Sequence, residues 1–353
     1  MVRSDFGFPV VVALLLIAGL VTLSSAAPSN EFGRQLIFLV PAVVIFVLLA
    51  WLGRKRIMRW AFPLYILTLF LLLLTRFFGS RVNGARSWLD LGPLPSFQPS
   101  EVAKISLILA LAVALHERPL RGILGYLRPL ALIALPFGLV FLEPDLGSAL
   151  VLAAIGGGML LVRGIPWRHL LIFLTLFVVA VPTVVWPQLK PHQRARLVSF
   201  LHPAADPQGN GYQVIQSTIA IGSGGLWGKG YKKGTQSQLG FIPYRQTDFI
   251  FPVLAEEGGF FAAIFLLALY GLLFWRLVMM ASECPHERDQ LAIVGVLSLI
   301  GFQVIVNIGV TLGLAPVTGI TLPLVSYGGT SLISTLVALS LAFVVHRDRY
   351  RDW

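Results

Sequence analysis

Apolar stretches of about 20 residues recur along most of the chain, separated by short segments rich in arginine, glycine and proline. Wound as helices, runs of this length match the thickness of a bilayer. Membrane-crossing strands would be about 10 residues long with strict alternation, and the sequence shows no such pattern. The runs predict an all-α, polytopic membrane protein of about ten transmembrane helices. They fall near 7–24, 35–53, 60–75, 100–115, 127–142, 145–162, 169–186, 249–278, 290–312 and 326–345. Residues 1–353 read as one integral membrane domain, without an internal repeat or a second soluble domain.

Composition supports this reading. Hydrophobic residues make up 56% of the chain and charged residues 12%, against roughly 25% charged in a soluble domain; mean hydropathy is +0.82. The first run has features of a signal peptide: Arg3, an apolar core, then the small residues of "LSSAAPSN". A signal peptide usually precedes soluble sequence, and here another apolar run follows, so an uncut first span is expected. The single cysteine, Cys284, excludes an internal disulfide.

The net charge of +11 would suggest nucleic acid in a soluble protein. Here the basic residues cluster in short loops, so orientation in a membrane explains them and no nucleic-acid partner is expected. With the N-terminus inside, the cytoplasmic segments carry Arg3, Arg54, Lys55, Arg56, Arg59, Arg118, Arg121, Arg128, Arg163, Arg168, Arg276, Arg288, Arg347, Arg349 and Arg351, fifteen in all. The short outer loops carry five: Arg34, Arg76, Arg81, Arg86 and Lys104. Both termini are therefore expected in the cytoplasm. A large extracytoplasmic loop, about 187–248, then lies between helices 7 and 8. Loops of that size are usually functional or disordered, and the apolar and aromatic residues of this one argue against disorder. Within it, "YQVIQSTIAIGSGGLWGKGY" places Tyr212, Ile215, Ile219 and Gly222 at helical spacing, with Gln213, Gln216 and Ser217 on another face. This predicts an interfacial or half-inserted helix followed by a glycine-rich turn. A structural lid without chemistry is the plainer alternative.

Polar groups near the membrane carry the candidate chemistry. "RQTDFIFPVLAEEGG", residues 245–259, puts Asp248 at the outer entrance to the eighth span. A helix N-cap would explain it plainly. The compact face beneath it, Pro252, Ala255, Gly259 and Ala262, would let a ligand or another helix approach. Glu256 and Glu257 are expected roughly 12–14 Å deeper at 1.5 Å per residue, each needing a cationic partner from another span. "QPSEVAK", residues 98–104, starts the fourth span with Glu101 and Lys104 at i, i+3. They form either a structural pair or a lysine held to meet an anionic substrate. "EPDLGSA" adds Glu143 and Asp145, and the long loop adds Arg194, Arg196, Lys229, Lys232 and Lys233. An outward-facing site of carboxylates and fixed cations under a partly apolar lid suits an anionic amphiphile such as a lipid phosphate. There is no P-loop, no His-Glu-x-x-His zinc helix and no Gly-x-Ser-x-Gly. Ser326 in "LVSYGGTS" is a weak nucleophile candidate, with no histidine nearby in sequence.

The segments "NGARSWLDLG", "FQPSEVAK", "EPDLGSAL", "YQVIQSTIAIGSGGLWGKGYKKGTQSQLGFIP", "QTDFIFPVLAEEGG" and "PLVSYGGTSL" together resemble the SEDS family (shape, elongation, division and sporulation proteins), in the same order and over nearly the whole chain. Two positions depart from its pattern. Gln246 stands where a histidine often precedes Thr247, and Gly258 stands where "AEELG" is common.

The resemblance implies a peptidoglycan glycosyltransferase of the bacterial cytoplasmic membrane, active during cell elongation. It would polymerise lipid II, an undecaprenyl-diphosphate-linked disaccharide-pentapeptide, into β-1,4 glycan strands at the outer face. The implied partners are a class B penicillin-binding protein and other elongation-complex proteins. Asp248 becomes the essential carboxylate, a general base for an inverting displacement. Lys104 and Arg196 would stabilise the leaving diphosphate, with Glu101, Asp145, Gln213, Ser217 and Lys229 as further substrate-binding candidates. A divalent cation, magnesium or manganese, is implied without a ligand set visible in the sequence, and no organic cofactor is expected. A lipid II flippase and a non-catalytic scaffold are the alternatives. The clustering of polar groups at outer helix ends favours the enzyme.

Overall fold

The computed structural model describes residues 7–350 apart from 83–84, 91, 93–95, 118–121, 167, 170, 173–174, 176–182, 184–186, 188–190 and 202–208. Among the described residues, nine helices are long and apolar enough to cross a membrane. They are α1 (Gly7–Ala26), α2 (Ser29–Leu52), α4 (Ala61–Phe78), α5 (Pro99–Glu117), α6 (Leu127–Leu142), α7 (Leu146–Arg163), α11 (Ile250–Ser282), α12 (Glu287–Thr311) and α13 (Gly329–Arg347). Each matches a predicted run within a few residues. The remaining predicted span, 169–186, lies mostly outside the described residues. Shorter helices are α3 (Arg54–Arg59), α8 (Pro191–Leu201), α9 (Asn210–Ser223) and α10 (Thr235–Gln238).

α5 is the axis of the bundle. Its sequence is apolar on every side, a pattern that suits a helix surrounded by others. The small residues Ala103, Ala110, Ala112 and Ala114 are all buried and let neighbours approach closely. It packs against α4, α6, α7, α12 and α13. α2 lies at the periphery against α13, most of its surface open to lipid.

The connections 79–98, 143–145, 209–249 and 312–328 all gather at one end of the bundle, together with the end of α1. The first folds into an antiparallel hairpin, β1 (Ser80–Val82) with β2 (Ala85–Trp88), closed by a bridge between Leu89 and Phe97. The last dips back into the protein. Leu322, Leu324 and Val325 are buried, and Tyr270 of α11 donates to the Pro323 carbonyl at 2.6 Å. Irregular backbone at such a place is tolerated because protein, not lipid, surrounds it.

α11 corrects the expected depth of two carboxylates. Its 33 residues are interrupted at Gly259, whose φ of 69° and ψ of −166° break the helix. Only glycine enters that region cheaply. A Cβ there would also sit 2.3 Å from the Gly228 nitrogen and 2.5 Å from the Leu226 oxygen. The glycine-rich segment after α9 fills the break. Lys229 N donates to Glu256 O (3.0 Å), Gly230 N to Glu257 O (2.9 Å), and Phe260 N to Gly225 O (2.9 Å). Residues 260–282 alone span roughly 34 Å at 1.5 Å per residue, enough for a hydrocarbon core of about 30 Å. The preceding turns, 250–258, therefore stay at the connection-rich end instead of descending 12–14 Å. Glu257 accordingly meets the end of α1, where Ser25 Oγ donates to it at 2.7 Å and Gln238 Nε2 at 2.9 Å. The cation on Glu256 comes from the loop, not from another span: Lys229 Nζ lies 2.7 Å away.

Candidate active site

Asp248 ends the turn that precedes α11. The N-cap position belongs to Phe249, and no side chain caps the helix. The capping explanation for Asp248 therefore fails. Three contacts hold the main chain of this turn. Asn307 Nδ2 of α12 donates to the Asp248 carbonyl at 3.0 Å and to the Ile320 carbonyl at 2.8 Å. Ser326 Oγ donates to the Thr247 carbonyl at 2.6 Å while accepting from Leu322 N at 2.9 Å. Tyr327 N donates to the Gln246 carbonyl at 2.8 Å. Ser326 thus fastens this turn to the loop 312–328.

The Asp248 side chain is half-buried: protein rings it, yet part of its surface stays accessible. Burial pushes its carboxyl up from 3.8 to about 6, and the charge of Arg196 on α8 pulls the other way. Gly319 stands beside it with φ of 75°, so the approach to Oδ2 is bare backbone. A carboxylate in this range is mostly ionised at neutral pH yet basic enough to take a proton in a transition state.

The other candidates divide by what they touch. Arg196 is the one whose charge reaches Asp248. Lys104 and Glu101 are both buried at the start of α5. Their ion pair is 2.7 Å long, and Ser334 of α13 donates to the second Glu101 oxygen. Asp145 caps α7 by accepting from Ser148 N at 3.0 Å and takes Gln98 Nε2 at 3.2 Å. Ser217 is buried on α9 and donates to the Thr311 carbonyl at 2.6 Å, so it fastens α9 to α12. Gln213 lies half-buried on α9. Lys229 Nζ donates to Glu256 and to Thr235, both at 2.7 Å, which ties the loop to α11.

Glu143 is 1% exposed, and neither carboxylate oxygen has a hydrogen-bond partner among the described residues. Burial pushes it up to about 8, nearby Asp145 adds to the rise, and Arg76 opposes it. Asn307 is a residue that the sequence reading missed. An asparagine inside an apolar run was its signal. No group of three or more histidine, cysteine, aspartate or glutamate side chains among the described residues could hold a metal ion. These side chains therefore do not form a cage for the divalent cation the resemblance implies.

Comparison with known proteins decides the family. Residues 4–351 match the FtsW/RodA/SpoVE family of cell cycle proteins. The chain belongs to this family. The peptidoglycan glycosyltransferase MrdB of Escherichia coli strain K12 is 38% identical over 344 residues, covering 96% of this chain and 92% of that one. Stage V sporulation protein E of Bacillus subtilis strain 168 is 35% identical over 363 residues, covering 98% and 97%. Among solved structures, the rod shape determining protein RodA of Thermus thermophilus superposes with a TM-score of 0.77 at 42% identity over 99% of both chains. A chain from a peptidoglycan synthase complex that coordinates polymerization and crosslinking superposes with a TM-score of 0.88 at 48% identity over the whole of both. The FtsW/RodA/SpoVE assignment agrees with the resemblance carried by the sequence motifs and with a multi-pass membrane fold.

Proposed function

We propose that this protein is a peptidoglycan glycosyltransferase that polymerises lipid II, with Asp248 as its general base. The observation that carries the reading is Asp248 itself. The turn that ends on it is held at three successive carbonyls, its side chain caps nothing, and burial pushes its carboxyl up to about 6 against the opposing charge of Arg196. The function is that of its curated relatives, which are named as peptidoglycan glycosyltransferases.

In the proposed step, the acceptor sugar hydroxyl attacks the anomeric carbon of the donor while Asp248 takes the hydroxyl proton. The new glycosidic C–O bond forms as the bond to the diphosphate breaks. The lipid diphosphate leaves with the electron pair. One displacement inverts the anomeric centre, so a second carboxylate as covalent nucleophile is not needed. Arg196, whose charge reaches Asp248, would offset the growing charge of the diphosphate. A magnesium or manganese ion would arrive on the diphosphate oxygens, which fits the weak demand of such ions for an all-protein cage.

The partner would be a class B penicillin-binding protein; a similar chain belongs to a peptidoglycan synthase complex that coordinates polymerization and crosslinking, and a crosslinking partner of this kind fits that pairing. The termini and the basic connections would face the cytoplasm, and Asp248 the outer side. The test is to supply purified protein, with that partner and a divalent cation, with lipid II in detergent. Detergent has no two sides, so transport has no meaning there. Long glycan strands are expected. Unpolymerised lipid II, with transfer across liposome bilayers by the same preparation, would instead make the protein a transporter.

A further inference from the structure

The end of the bundle opposite Asp248 carries a second polar feature that the glycosyltransferase reading does not use. α3 crosses that end between α2 and α4. Arg54 fixes it from within: its guanidinium pairs with the buried Asp289 of α12, and its main-chain nitrogen donates to Asp348 Oδ2 at 3.1 Å. With α3 held this way, Lys55 and Arg59, four residues apart on one helix face, turn toward a cavity of about 230 Å³. Arg288 of α12 lines its other side, and Met58 and Val113 of α5 supply apolar walls.

Three cations from two elements far apart in sequence thus converge on one concavity. The acidic residues beside them have partners of their own, and the charge of Asp289 also reaches Arg288. Glu287 pairs with Arg163 at 2.7 Å, with His116 also near it at 3.9 Å, and Asp289 is held by Arg54. The flanking tryptophans Trp51 and Trp60 are 78% and 66% exposed, as expected of residues that sit at headgroup level. The cavity is smaller than the roughly 300–1,000 Å³ of sites that engulf a drug-sized ligand. Its size, charge and apolar walls suit a phosphodiester with the first carbons of its chains.

We propose that Lys55, Arg59 and Arg288 form a binding site for the headgroup of an anionic phospholipid. A general excess of basic residues on this side would explain charge, but not its convergence on one pocket. Arg56 separates the two explanations. It lies on the same six-residue helix, is exposed, and does not line the cavity. Phospholipid retained by the purified chain, alone and with its penicillin-binding partner, is counted by native mass spectrometry across a titration with phosphatidylglycerol or phosphatidylcholine.

Wild type should retain phosphatidylglycerol preferentially. Arg59→Gln should weaken that retention about fivefold, the typical effect of one basic residue at a lipid surface, and Arg56→Gln should leave it nearly unchanged. Arg59→Lys should keep most of it, which separates lost binding from lost folding. Equal losses in Arg56→Gln and Arg59→Gln, or equal retention of the two lipids, would overturn the proposal. So would glycerol phosphate binding as tightly as the lipid, since the apolar walls would then do nothing. Loss of the lipid on assembly with the partner would show a protein interface instead.

Discussion

The side-chain amide of Asn307 donates to the main-chain carbonyls of both Asp248 and Ile320, at 3.0 and 2.8 Å. One residue on α12 thereby fixes the turn that bears the proposed base and the loop that lies against it. Asn307→Leu removes both bonds and leaves buried carbonyls unpaired, at a cost of about 1–3 kcal/mol each. The base would also drift, and misplacement by about 1 Å can cost roughly a hundredfold in rate. Glycan polymerisation should fall at least about tenfold, in protein whose thermal unfolding in detergent still shows a cooperative transition. Unchanged activity would mean that the turn holds its place without Asn307.

Arg196 and Asp248 predict a pH profile. The Asp248 carboxyl must be ionised to accept a proton, and burial places its titration near 6. Activity should therefore rise with pH through an acid limb with an apparent pKa of about 6. Arg196 lowers that value, so Arg196→Gln should move the limb to higher pH as well as reduce the maximum. The same limb in both proteins would show that the arginine does not reach the base.

Much of this was legible in the sequence. The spans follow from hydropathy alone, a local property, and nine of the predicted runs match helices to within a few residues. Asp248 was legible as a carboxylate that an apolar chain would not otherwise keep. The break at Gly259 was not. "EEGG" inside an apolar run reads as continuing helix, and the break depends on backbone bonds with Gly225, Leu226, Lys229 and Gly230, about 30 residues earlier in sequence. Glu256 was legible as needing a cation, but the source of that cation depends on the break. Asn307 and Ser326 were invisible as fasteners because the carbonyls they bind at the Asp248 turn lie 59 and 79 residues away.

The Gly259 break gives a folding prediction. Gly259→Ala forces a side chain into a left-handed conformation and against the Gly228 backbone, so the loop after α9 must detach. The cost exceeds the roughly 1 kcal/mol of an ordinary helix glycine change. Glu256→Gln leaves Lys229 without its carboxylate and weakens the bonds to Gln236 N and Ser237 N, now 2.8 and 2.9 Å. About 3 kcal/mol is the scale of breaking such a pair. Both variants should unfold at lower temperature and be cut by protease within 224–240 before the spans. Protease resistance equal to wild type would contradict the bracing role.

Glu143 predicts a stability change of definite sign. Its folded-state titration is raised to about 8, above the ordinary carboxyl value of 4.5. The folded state therefore holds the proton more tightly than the unfolded chain. Stability should be full below about 4.5 and decline as pH rises toward 8. Glu143→Gln removes that dependence. The variant should match wild type near pH 5 and melt at higher temperature near pH 8.5. A wild-type curve that already lacks the decline would show the carboxyl to be solvated.

The central claim is that Asp248 takes a proton during glycan polymerisation. Asp248→Asn keeps the shape and the main-chain contacts, including those from Asn307, and removes only the basicity. The decisive measurement is the initial rate of strand formation from lipid II by the purified complex, wild type against Asp248→Asn, at pH 7.5 and matched protein levels. Loss of a general base predicts a fall of at least about a hundredfold with unfolding temperature unchanged. A rate within about threefold of wild type would lie far below the usual cost of losing a base and would contradict the assignment of Asp248.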